Sequence, residues 1–280
     1  MNVALPVGVS GRMPGPLVLR ALLASVEQAW KAQFIFRTST WTGIIGTVLQ
    51  VTLVFLVWSA VYGERTEVVG IDQRDAINYA ALGVLVNTVI QPFIFDSMYS
   101  RLRSGAIAFD VMRPVSAVPL ALAQQVGSSL AQLPSAACAL ALGLAIGAVS
   151  APPTPLSALA FAISMMLGYL IALLINFSVG LVGFWTLETG GAFNIYRMFA
   201  QFSSGAMIPL WFMPNWLAGA LTALPFSAQV FVPLSIYLDP SPGWHTIQAM
   251  ALQLLWVLLM AGVAMFVWRR AIRRLVIFGG

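Results

Sequence analysis

Of the 280 residues, 60% are apolar and only 8% are charged, with a net charge of +5. Soluble domains carry about 25% charged residues, so a water-soluble globular protein is excluded, and 9 Trp and 17 Phe make the chain too apolar and aromatic for disorder. The basic residues sit between long apolar runs rather than on one dense patch, which argues for membrane topology and against nucleic acid as a partner.

Residues 1–16 contain Gly8, Gly11, Pro14 and Gly15, lack the continuous apolar run of a cleavable signal peptide, and read as a flexible tail. Residues 17–38 read as an amphipathic helix lying on the membrane. Leu19, Leu22, Leu23, Val26, Trp30 and Phe34 recur there at helical spacing, and Arg20, Glu27 and Lys31 fall along another line. The alternative is an extended cytoplasmic start to the first span.

A spanning helix needs about 20 mostly apolar residues. Stretches at 39–62, 76–95, 115–147, 156–185, 198–213 and 244–268 qualify or nearly so; the third is interrupted at Pro134 and the fifth is short. The loop 63–75 holds Glu64, Glu67, Asp72 and Asp75, which either attract cationic solutes or are simply solvated. A polar segment, 96–114, follows the second span. Pro152, Pro153 and Pro155 mark a turn that neither neighbouring helix can enter. The region 214–242 is apolar but broken by Pro225, Pro233, Pro240 and Pro242 into pieces too short to cross. Irregular backbone at membrane depth is tolerated only where protein buries it or where it lines a wet cavity, so this region reads as a re-entrant or interfacial helical hairpin on one side. Residues 39–280 are thus expected to form one all-α, six-span domain.

Six spans put both termini on one side. That side holds every basic residue except Arg65 and Arg74, which places both ends in the cytoplasm.

In this reading no ionisable side chain lies near the bilayer centre, where each costs about 3 kcal/mol. Proton-coupled carriers and intramembrane enzymes carry such residues, so a non-catalytic chain is expected. Gln50, Asn87, Gln91, Gln132, Asn176 and Gln253 remain inside, most simply as interhelical glue, with the alternative that a minority line a substrate path. A single cysteine, Cys138, and a single histidine, His245, rule out a disulfide framework or a Cys/His zinc site, and no metal or cofactor is expected. A phosphate-binding loop ends in lysine; the lone lysine stands in Ala29-Trp30-Lys31-Ala32, so any ATP that powers the protein is bound by another chain. Neither half mirrors the other in Gly/Pro placement, which gives an inverted-repeat carrier no support.

Two segments carry more than hydropathy. One runs Arg103-Ser104-Gly105-Ala106-Ile107-Ala108-Phe109-Asp110-Val111-Met112-Arg113-Pro114. The other runs Ser204-Gly205-Ala206-Met207-Ile208-Pro209-Leu210-Trp211-Phe212-Met213-Pro214 and continues to Leu224-Pro225-Phe226. With Phe184-Trp185-Thr186-Leu187-Glu188 and the terminal Gly279-Gly280, their order resembles the permease subunits of bacterial type-2 ABC exporters over nearly the whole chain. The longer Gly/Pro-containing tail departs from that pattern.

The resemblance implies a multi-pass protein of the bacterial cytoplasmic (inner) membrane, embedded in lipid. It implies a cytoplasmic coupling helix between spans two and three and an outer re-entrant hairpin between spans five and six. Two permease subunits, identical or paralogous, would enclose a path for a hydrophobic or amphipathic solute, and separate ATPase subunits would bind ATP and Mg. Arg101, Arg103, Gly105, Ile107, Phe109, Asp110 and Arg113 are then candidates for docking the ATPase, against the alternative that the arginines only fix topology. Glu188, at the cytoplasmic end of span four, either pairs with a basic residue of the interfacial helix or is a solvated charge worth little. Phe202, Met207, Ile208, Pro209, Leu210, Trp211 and Phe212 are candidates to line or gate the outer half of the path, against the alternative of packing, with Pro209 marking a kink. The rival reading is an ATP-independent channel or secondary carrier, which needs in-membrane ionisable groups or repeat symmetry.

Overall fold

The structure is a computed structural model that describes residues 15–35, 37–68, 70–90, 117–185 and 190–278. Helix α1, Gly15–Ile35, is followed by α2, Arg37–Tyr62. The loop after α2 forms a minimal hairpin of β1, Glu67–Val68, and β2, Ile71–Asp72, in which Glu67 pairs with Asp72. Gly70 takes φ +76° in its turn, a left-handed conformation that a side chain would strain. Helix α3, Gln73–Ile90, begins at once after β2, so Gln73, Arg74 and Asp75 form its first turn rather than loop.

The third expected span is two helices, α4 (Ala117–Leu130) and α5 (Leu133–Ala145). Pro134 sits in the first turn of α5, where its missing N–H costs nothing, and it breaks the chain from α4 as the sequence predicts. Helix α6, Pro155–Leu181, is capped by Thr154, whose side chain accepts from the Ser157 N–H at 3.1 Å. Helix α7 covers Gly190–Ser203, a 3-10 turn covers Leu210–Phe212, and two eight-residue helices follow, α8 (Asn215–Thr222) and α9 (Phe231–Leu238). Helix α10 runs unbroken over Trp244–Phe278 and carries its arginines in the same rod as its apolar stretch.

Four stretches of the described residues are long and apolar enough to cross a membrane: Thr40–Tyr62, Ala117–Ala145, Pro155–Leu181 and Trp244–Arg273. They correspond to expected spans one, three, four and six. The described part of the second ends at Ile90, short of the expected 95. The fifth is corrected: a helix was expected at 198–213, but α7 occupies Gly190–Ser203 and the chain beyond it is irregular. Ser204 and Gly205 terminate it, with Gly205 at φ +75°. Pro209 therefore marks no kink; it precedes the 3-10 turn in extended conformation (φ −53°, ψ 136°).

The core is built around α3. Residues on every face of it, from Ala76 to Val86, are buried, because α2, α5 and α9 all pack against it. Helix α10 packs along α6, and α1 packs along α4. The contact of α6 with the turn before α9 depends on close approach. A Cβ on Gly168 would stand 2.9 Å from the carbonyl oxygens of Ala228 and Gln229, so the backbone before α9 rests directly on α6.

Candidate functional site

The segment after Ser203 is where the sequence placed the outer half of a path, and it meets the bundle through hydrogen bonds. The Phe231 N–H donates to the Ser204 carbonyl at 3.1 Å, and the buried Tyr79 hydroxyl of α3 donates to the Gly205 carbonyl at 3.0 Å. Only a residue free to take positive φ turns that carbonyl back towards α3. The irregular chain is thus held by α3 and α9, whose donors satisfy two of its backbone carbonyls.

The seven candidate path residues divide into three environments. Pro209 and Leu210 are buried, Leu210 at 1% exposure, and contribute to the subunit's own interior. Trp211 stacks against Tyr79 (centroids 4.8 Å apart) and Phe231 (5.6 Å), and Phe212 against Trp58 of α2 at 5.1 Å. Phe202, Met207 and Ile208 face outward, Met207 at 63% exposure. Sequence reasoning missed Tyr79 and Trp58 as the partners that anchor this segment. The signal was present in Tyr79, since a buried tyrosine requires a hydrogen-bond partner for its hydroxyl.

The interior polar residues behave in different ways. Gln253 of α10 is fully buried, donates to the carbonyls of Ala228 (2.8 Å) and Ser164 (3.1 Å), and accepts from the Ser164 hydroxyl (2.8 Å). It therefore ties α10, α6 and the turn before α9 together. The Tyr196 hydroxyl meets Asn176 at 3.3 Å. Gln50 is exposed midway along α2. Asn87 Oδ1 and Gln125 Nε2 are buried without a hydrogen-bond partner among the described residues. Gln91 lies outside those residues, as do Arg101, Arg103, Gly105, Ile107, Phe109, Asp110, Arg113 and Glu188, and so does nearly all of the expected tail.

Where α9 gives way to α10, His245 Nε2 lies 2.6 Å from Asp239 Oδ2, the Ser241 N–H donates to Oδ1 at 2.9 Å, and the Thr246 hydroxyl donates at 3.4 Å. Desolvation raises the Asp239 pKa, but these donors together outweigh it and hold the carboxyl below its ordinary value. The joint closes the end of the molecule opposite Arg269, Arg270 and Arg273. Among the described residues no group of three His, Cys, Asp or Glu side chains is placed to hold a metal ion.

A family model for the ABC-2 family transporter protein matches residues 48–279. No curated protein and no solved structure matches the chain.

Proposed function

We propose that this chain, which belongs to the ABC-2 transporter family, exports a hydrophobic or amphipathic solute across the bacterial cytoplasmic membrane together with a second permease subunit. Membership makes it the membrane-spanning permease component of an ABC transporter, with an ABC ATPase as its partner. The observation that carries the reading is the match over residues 48–279 on a chain that has, among the described residues, four helices long and apolar enough to cross a membrane.

The finer reading is as follows. Six spans cross the membrane, with α3 supplying the second and the α7 region the fifth. Helices α8 and α9 form the re-entrant hairpin on the outer side, and α1 lies at the inner interface. The arginines at the far end of α10 support that orientation, because basic residues are retained in the cytoplasm. ATP and Mg bind the partner ATPase, whose closure acts on residues 96–114 and switches the path between inward- and outward-facing states. Arg101, Arg103, Gly105, Ile107, Phe109, Asp110 and Arg113 carry that force, and Glu188 assists from the cytoplasmic end of α6. Phe202, Met207 and Ile208 suit a path-facing role better than Pro209 and Leu210, because their side chains are free on the subunit surface.

The test is isolation of the tagged protein in mild detergent, with identification of what co-purifies. A cytoplasmic protein bearing a phosphate-binding loop, at equal stoichiometry, is the expected result, and a second six-span chain beside it would establish a heterodimer. In that assembly, Asp110→Asn with Arg113→Ala should lower transport-coupled ATP hydrolysis without lowering membrane insertion. A chain that purifies alone and transports in liposomes without any ATPase would overturn the reading in favour of a channel or carrier.

A further inference from the structure

A recess of 460 Å³ opens at the end of the molecule that carries the β-hairpin, bounded by the hairpin, the first turn of α3, the Trp211 turn, α9 and the start of α10. Its volume falls in the range of small-molecule sites, roughly 300–1,000 Å³, and is far larger than a bare ion requires. Two of its walls are aromatic, Trp211 and Phe231, whose ring centroids are 5.6 Å apart. Both rings rest on Tyr79, one helical turn beyond Asp75 on the same face of α3.

The polar lining is acidic. Asp72 and Asp75 both line the recess, and neither has a hydrogen-bond or ion-pair partner among the described residues. Desolvation raises the Asp75 pKa, the neighbouring Asp72 carboxylate raises it further, and Arg74 opposes them. Asp72 and Asp75 thus repel each other, and Arg74 offsets that repulsion in part. None of the described lining residues is a lysine or arginine. The carboxylate across the recess, Asp239, is already held by His245, Ser241 and Thr246.

We propose that this recess binds an amphipathic organic cation, its charge set between Asp72 and Asp75 and its apolar body against Trp211 and Phe231. Carboxylates supply the long-range attraction, and aromatic faces hold a weakly hydrated cation that water does not compete for strongly. The apolar walls, and the absence among the described residues of three side chains placed to hold a metal, argue against a simple metal cation. The site is complete within one chain and needs neither an ATPase nor a second subunit, so it stands or falls apart from the export reading.

The test is equilibrium binding of radiolabelled tetraphenylphosphonium to the full chain in lipid nanodiscs, with empty nanodiscs as background. The wild type should bind above background. Asp72→Asn with Asp75→Asn should weaken binding about tenfold, since two partly exposed charge pairs together contribute on that order. Glu64→Gln with Glu67→Gln removes the same charge from the same end outside the recess and should change binding less than about twofold. Asp72→Asn alone, at an exposed hairpin position, supplies the comparison should the double variant fold poorly. Absence of wild-type binding, equal losses in the two double variants, unchanged binding in Asp72→Asn with Asp75→Asn, or displacement by Ca²⁺ at millimolar concentration would each overturn the proposal.

Discussion

At the scale of single residues, the same amide has opposite meanings at two depths. Gln253 is buried at 0% exposure with three hydrogen bonds to α6 and the turn before α9. Gln50 is exposed on α2. Hydrogen bonds between membrane helices contribute about 0.6 kcal/mol on average and about 1.7 at most. Gln253→Leu also strands the Ser164 hydroxyl and the Ala228 carbonyl, so it should destabilise the subunit by about 1–2 kcal/mol. Gln50→Leu removes no hydrogen bond among the described residues and trades an exposed amide for an apolar side chain, so it should leave the subunit as stable or more so. Unfolding in mixed micelles with rising SDS fraction reads both. Equal effects of the two would show that Gln253 does not join the helices. The sequence marked both residues as interhelical glue, because hydropathy reports that a residue is polar within an apolar run but not which way it points.

At the scale of elements, the long apolar helices were legible. Helices α2, α6 and α10 begin and end within a few residues of their expected limits or, for α10, run beyond them. The Pro134 break is also where the sequence placed it. What was not legible is set by tertiary contacts. Helix α7 ends at Ser203 although apolar residues continue, because Gly205 turns and Tyr79 captures its carbonyl 126 residues away in sequence. The two-residue strands were invisible to periodicity, which needs four or more residues to register. The burial of Pro209 and Leu210 is set by tertiary packing, which no local pattern encodes.

The docking of α1 on α4 is a contact of the same kind. A Cβ on Gly127 would run into the Val26 carbonyl oxygen and stand 2.8 Å from the Ala29 Cβ, and the Val26 backbone cannot yield without moving α1. Gly127→Ala should therefore cost about 1–3 kcal/mol and raise amide exchange selectively in α1. Gly262→Ala in α10 meets nothing within 4 Å and should be neutral or stabilising by up to about 1 kcal/mol through helix propensity. Unaltered exchange in α1 would mean that the docking of α1 does not depend on close approach at Gly127.

At the scale of the whole molecule, the exposed faces of α2 and α10 differ in a way that bears on assembly. Helix α10 turns Ile247, Leu254, Leu258 and Phe266 outward, all apolar and suited to lipid. Helix α2 exposes Trp41, Ile45, Leu49, Leu53 and Val57 on one stripe, with Gln50 on the same side near its midpoint. An amide facing hydrocarbon forfeits its hydrogen bonds at a cost of several kcal/mol, whereas one facing another helix regains them. The stripe of α2 is therefore the better surface for the second permease subunit, and α10 the better surface for lipid. A photoreactive benzoylphenylalanine placed at position 53 should capture a second polytopic chain in native membranes, and the mass of the adduct should distinguish an identical copy from a paralogue. The same probe at position 258 should label lipid. Capture from 258 and none from 53 would move the interface to α10 and leave Gln50 facing lipid.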